Sequence, residues 1–278
     1  PVDWALSMNN LATSYRIRIK GDRAQNLEDA IDIYKQVLQV LTRKATPVDW
    51  ANTIVNLANA YSDRIRGDRA QNLENAISAH KQALQVITRE DMPMKWATVM
   101  TNLAIAYFYR IRGDRAQNLE DAIDTYGEAL QVMTREAMPV EWSAAMMSLA
   151  NAYFYRIRGE RTQNLEDAID AYKQSLQVRT REAMPIDWAA TLDNLATAYS
   201  TRIRGDLAQN LEYAIDAFKQ SLQVRTREAM PIDWATSMHN LAMVNHSRSK
   251  GDRAQNLENA IDAYEQALMV FQPTRLPN

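Results

Sequence analysis

The chain has 278 residues, a formal net charge of −2 and no cysteine. That balance gives no global attraction to nucleic acid or anionic lipid, and the missing thiol excludes disulfides, cysteine nucleophiles and zinc–thiolate sites. Its composition, 46% apolar and 24% charged, is that of a folded protein, and no apolar run approaches the roughly 18 residues of a membrane span.

No signal-peptide pattern opens the chain, so a cytoplasmic setting is expected, with no membrane and no nucleic-acid partner. The start on Pro1, at a repeat boundary and without methionine, suggests a piece of a longer chain. Length alone would suggest about two globular domains. A periodicity overrides it. Glycine recurs at Gly21, Gly67, Gly113, Gly159, Gly205 and Gly251, always 46 residues apart. Trp4, Trp50, Trp96, Trp142, Trp188 and Trp234 keep the same interval, each preceded three residues earlier by proline. Six units follow, 1–46, 47–92, 93–138, 139–184, 185–230 and 231–276, read as one repeat domain with a tail at 277–278. Units of this length stack on their neighbours and need no central core.

The second unit shows the predicted elements in order. Pro47 suits the first turn of a helix, where its missing N–H costs nothing, and Asp49 complements the positive helix end. Trp50, Ile54, Leu57, Ala58, Tyr61 and Ile65 then fall on one helical face. Gly67 stops this helix, with Arg64 and Arg66 in its last turn, at about 18–20 residues or near 30 Å. Asp68 to Gln71 form the connection, and Asn72 is expected to cap the second helix. Leu73, Ala76, Ile77, His80, Ala83, Leu84 and Ile87 make the second apolar face, and that helix ends near Arg89-Glu90, before the next proline. Period-2 strand patterns are absent. The sequence therefore predicts twelve helices in six hairpins.

Asn56-Leu57-Ala58-x-Ala60-Tyr61 resembles the Asn-Leu-Gly-x-Ala-Tyr core of tetratricopeptide repeats, and Ala122-x-x-x-Tyr126-x-x-Ala129 resembles the second-helix signature of that family. The resemblance covers all six units. It implies an all-α right-handed α-solenoid of six two-helix repeats. The usual repeat has 34 residues; here about six extra lie between Tyr61 and Ala76, and the rest extend the helix ends around Pro93. Trp50 also lies one turn before the position where the family places its tryptophan, which is Ile54 here. Long repeats of this kind are similar to bacterial arrays associated with caspase-like CHAT domains. A Cys/His dyad cannot reside in this chain, which has no cysteine.

The resemblance implies a concave groove lined by the first helices, and the residues expected there vary between copies. One position holds Asn9, Val55, Thr101, Met147, Asp193 and His239; the next holds Thr13, Asn59, Ile105, Asn151, Thr197 and Met243. A constant frame with a variable inner surface suits a binding surface, although exposed positions can also drift freely. Asparagine stays nearly fixed at Asn10, Asn56, Asn102, Asn194 and Asn240. In peptide-binding relatives the matching amide holds a ligand backbone, having both donors and an acceptor; it could equally bond the next repeat. Phe108, Tyr109, Phe154 and Tyr155 bring adjacent aromatics that cannot all enter one core. Aromatic and methionine side chains favour binding hot spots. The candidate peptide-binding residues are thus Asn56, Asn59, Asn102, Ile105, Phe108, Tyr109, Met147, Asn151, Phe154, Tyr155, Asp193 and Asn194.

The recurring Arg18, Arg64, Arg110, Arg156, Arg202 and Arg248 are read as partners of carboxylates such as Glu28-Asp29, not as a phosphate-gripping row. His80 takes a core aromatic position, and His239 with His246 is too small a set for a metal site. Phosphate loop, His-Glu-x-x-His and nucleophile elbow are all absent. The expectation is a non-catalytic scaffold without cofactor or metal that binds a protein or peptide. The alternative is a homo-oligomerising module joined through uncapped terminal helices. Met269, Val270 and Phe271 would then form an interface, unless the tail Gln272 to Asn278 covers them.

Overall fold

The computed structural model describes residues 1–271. The tail 277–278, and the segment 272–278 offered above as a cover, lie outside the described residues. Among the described residues there are twelve α-helices and no strand. The chain divides into two compact units, Pro1–Glu141 and Trp142–Asn278. The first holds α1 (Val2–Ile17), α2 (Arg23–Val40), α3 (Pro47–Asp63), α4 (Arg69–Ala83), α5 (Pro93–Tyr109) and α6 (Arg115–Leu130). The second holds α7 (Pro139–Tyr155, its first three residues preceding the division), α8 (Arg161–Ser175), α9 (Pro185–Ser200), α10 (Leu207–Ser221), α11 (Pro231–Ser247) and α12 (Arg253–Leu268).

Within the first unit each helix packs on the next in sequence, and α1, α3 and α5 also touch side by side. The second unit repeats this arrangement from α8 to α12, with α9 beside α11; α8 joins α7 where the Ser175 hydroxyl donates to the Ser143 carbonyl at 2.7 Å. Consecutive helix hairpins sharing their apolar faces are the packing of an α-solenoid. Ala30, Ile31 and Tyr34 of α2 form one buried cluster with Ala12 of α1 and Leu57 and Ala60 of α3. Leu211, Ile215 and Phe218 of α10 do the same with Leu192 of α9 and Leu241 and Val244 of α11. Each buried leucine, isoleucine, valine or phenylalanine among them contributes about 1.5–3 kcal/mol of transfer free energy.

The helix boundaries depart from the sequence expectation. Proline does open α3, α5, α9 and α11. However, α3 has 17 residues and ends at Asp63, because Arg64 turns extended (φ −58°, ψ 127°). Ile65, expected on the buried face, therefore lies beyond the helix and is 61% exposed. Gly67 sits past the helix end at φ +79°, a left-handed conformation that favours glycine. Helix α4 starts earlier than expected, at Arg69, and Asp68 caps it: the Gln71 N–H donates to its carboxylate at 2.6 Å. Asp22, Asp114, Asp206 and Asp252 cap the corresponding helices. Asn72 is a buried first-turn residue instead, and its amide donates to the Arg66 carbonyl at 2.9 Å, closing the loop from inside. The same bond recurs from Asn26 to Lys20, Asn118 to Arg112, Asn164 to Arg158, Asn210 to Arg204 and Asn256 to Lys250. The buried amide reaches up into the exposed loop and pairs one of its backbone carbonyls, which pins the turn to the helix beneath it. The α4 helix also ends sooner than expected, at Ala83, and irregular turns carry the chain to Pro93.

Arginine ties adjacent repeats together. Arg64 grips Glu28 with two bonds of 2.8 and 2.6 Å. Arg110 holds Glu74, Arg202 holds Glu166 and Arg248 holds Glu212 in the same bidentate form. Each guanidinium holds its glutamate below the usual carboxylate range.

Candidate binding surface

In the first unit, Asn59, Asn102 and Ile105 border one shallow cavity of about 280 Å³ with Arg16, Ser62 and Asp63. Arg16 and Asp63 pair across it at 2.9 Å, joining α1 to α3. Asn56 is half-buried, and its amide donates to Asn9 Oδ1 of the preceding repeat at 3.3 Å. Phe108 is half-buried, and Tyr109 is 57% exposed. Their rings meet edge to face at 4.9 Å, and the Arg115 guanidinium lies 5.2 Å from the Phe108 ring centre.

In the second unit, Phe154 and Tyr155 repeat this geometry with a 5.1 Å edge-to-face contact, Arg161 over Phe154 and Tyr155 exposed. Met147 and Asn151 are half-buried one turn apart, at 3.7 Å from amide to sulfur. Asn151 Oδ1 accepts from the Tyr172 hydroxyl at 2.6 Å and from the Asn194 amide at 3.2 Å. Burial pushes the Tyr172 hydroxyl pKa up, which keeps it a donor. Asn56 and Asn194 thus both bond a neighbouring repeat.

Asp193 differs from the other candidates in its surroundings. It is buried, and its Oδ2 receives both Arg225 Nη1 and the Ser237 hydroxyl. Burial raises the Asp193 pKa against the pull of the Arg225 charge. Arg179 is likewise buried, 3.3 Å from the Thr191 hydroxyl and 3.8 Å from Asp187; burial pulls its pKa down. Sequence reasoning missed these two arginines. A signal was present: Leu41, Ile87 and Met133 become Arg179 and Arg225 at the same repeat position, and Val37, Ala83 and Ala129 become Ser175 and Ser221 four residues earlier.

Met269 and Phe271 are exposed and Val270 is half-buried, at the end of α12. Among the described residues, no group of three or more His, Asp or Glu is placed to hold a metal ion. No described helix is long and apolar enough to cross a membrane.

A family model for the tetratricopeptide repeat matches residues 4–40, 96–132 and 234–268. These segments are tetratricopeptide repeats. The three units between them carry the same Pro, Trp, Gly and Asn positions and the same hairpins, which extends the tetratricopeptide pattern through 46-residue steps. Among curated proteins, none matches the chain in sequence. The fold is similar to BtubC (BKLC) from P. vanneervenii, at 16% identity and TM-score 0.61 over 92% of either chain. It is also similar to a chain of the APC/C hetero-tetramer Cut9-Hcn1, at 15% identity and TM-score 0.64 over 98% of this chain and 40% of that one. The apo form of RapI matches at 15% identity and TM-score 0.60, over 96% of this chain and 76% of its own. At such identities the likeness is one of fold.

Proposed function

We infer that this chain is a protein-interaction scaffold whose first-helix faces bind a peptide or protein segment. The observation that carries this reading is the contrast between neighbouring positions. Leu57, Ala58, Leu103 and Ala104 are constant in type and buried, while the variable Asn59 and Ile105 border an open cavity with Asn102. Tyr109 and Tyr155 add exposed aromatic edges of the kind that anchor partners. The test is selection from a random peptide library on the immobilised chain. Tyr109→Ala with Tyr155→Ala is expected to weaken the selected peptides at least about tenfold, or ~1.4 kcal/mol, with helical circular dichroism unchanged. Equal binding by the double variant would sink the reading.

A second reading, self-association, has its own support. Inside the units, Ile31 of one repeat packs with Leu57 of the next, and Ile215 with Leu241. The matching end residues are uncovered in this chain: Ile261 is 47% exposed and Leu11 is 45% exposed. Another copy could seat Leu11 on Ile261 by the same geometry, a head-to-tail contact that need not close into a ring. Met269, Val270 and Phe271 would lie at its edge. Light-scattering mass that rises with concentration and falls to 31.7 kDa on Ile261→Asp supports it; a constant mass rejects it.

A further inference from the structure

Five of the six second helices open on arginine: Arg23, Arg69, Arg115, Arg161 and Arg253. Each donates from Nη1 to a backbone carbonyl at the end of the preceding helix, that of Arg16, Ser62, Phe108, Phe154 or His246. The last carbonyls of a helix have no intrahelical partner, so this arginine satisfies one and brings a cation to the negative helix end. The fifth repeat departs from the pattern. Its second helix opens on Leu207, which has no donor to offer the Ser200 carbonyl. The helix before it, α9, also stops at Ser200, one position short of α3, α5 and α11.

A cavity of about 340 Å³ lies at this place, walled by Leu207, Leu211, Met243 and Val244 and rimmed by the hydroxyl residues Ser200, Thr201 and Ser247. Leu207 is 61% exposed and Met243 is 51% exposed. Met243 and Val244 are also peculiar to their copy, standing where the second repeat has Asn59 and Ala60.

We propose that this cavity is an anchor site for a tryptophan side chain presented by a bound peptide; the inference rests on the peptide-binding reading above. Ligand cavities run from about 300 to 1,000 Å³, so this one holds a single large side chain. Its walls are apolar, and the Met243 sulfur favours an aromatic neighbour. What Leu207 withholds is the arginine N–H that the sibling repeats bring to the carbonyl matching that of Ser200. Indole supplies one N–H, no acceptor and a large apolar body. Leucine would fill the walls and leave the carbonyl unmet, whereas arginine would meet the carbonyl and put a charge against four apolar side chains.

The test uses the full chain and N-acetyl-tryptophanamide, with N-acetyl-leucinamide as the comparison, followed through the Met243 methyl signal by NMR. The expected result is a saturable shift at about millimolar probe, with the leucine probe at least about tenfold weaker. Leu207→Arg, the residue of the five sibling helices, should abolish the shift while circular dichroism stays unchanged. A flat Met243 signal, equal shifts from both probes, or a shift that survives Leu207→Arg overturns the proposal. The single-residue probe keeps the two readings apart. A Met243 shift without any captured peptide rejects the peptide reading alone; captured peptides with flat probes reject the anchor alone.

Discussion

The second and fifth repeats fill one packing position in opposite ways. In the first unit Ile87, Val55 and Val99 share a cluster with Ala51, Ile54 and Ala83, entirely apolar. Three repeats later the same positions hold Arg225, Asp193 and Ser237, joined by an ion pair and a hydroxyl bond. The surrounding frame is nearly unchanged, with Ala189, Leu192 and Ser221 in place of Ala51, Ile54 and Ala83. A solenoid permits this because each interface answers only to its two neighbours. A buried ion pair costs about as much desolvation as it returns in attraction, so it can replace an apolar plug only as a complete set.

The comparison breaks most sharply at Asp193. Asp193→Ala leaves the largely buried Arg225 charge uncompensated, and should destabilise by about 3 kcal/mol in urea unfolding. The triple change Arg225→Ile, Asp193→Val and Ser237→Val copies the second repeat and should restore or exceed the original stability. A triple variant as unstable as Asp193→Ala would mean that the two solutions are not interchangeable.

His80 offers the next effect. It occupies the site of Tyr34 and Tyr172, fully buried, and burial lowers its pKa to about 4. Below pH 6.5 the unfolded chain gains a proton there that the folded chain refuses. Stability therefore falls as pH drops from about 6.5 towards 4, by on the order of 1–2 kcal/mol at pH 5. His80→Tyr should flatten that slope in unfolding curves at pH 7 and pH 5.

The glutamates under the arginine ties respond in a lower window. Glu28 has a depressed pKa in the fold, so its contribution is complete above the unfolded value near 4.3 and is lost as pH falls through the folded value. Glu28→Gln should cost about 1 kcal/mol at pH 7, a cost that shrinks as the pH falls below the unfolded value, read by thermal unfolding across that range. The smallest change concerns the caps. Glu160 stands where five copies have aspartate, and it makes no side-chain cap bond to α8. Glu160→Asp should stabilise by roughly 0.5–1 kcal/mol, and no gain in melting temperature would contradict the cap assignment.

The period, the hairpins and the second helix of every unit are legible in the sequence, because apolar spacing and fixed proline and glycine positions are local signals. The expected groove is legible only as a set of positions. Asn59, Asn102 and Ile105 meet around one cavity, but Asp193 belongs to a largely buried pair, and its partner Arg225 lies 32 residues away, in the turns that follow α10. The cap passed from Asn72 to Asp68 for a similar reason: either side chain can cap a helix, and the loop's need for an internal donor decides between them.

What the sequence by itself determined is the repeat, the all-helical class and the tetratricopeptide kinship, since each depends on residues within one helix or its nearest turn. What only the tertiary structure decided is which polar side chains face inward. Arg225 reads as a surface residue until Asp193 and Ser237 arrive beside it, and Leu207 reads as a harmless substitution until it lines one cavity with Ser200, Met243 and Val244. Burial of a charge is a property of the groups that surround it, and those come from distant parts of the chain.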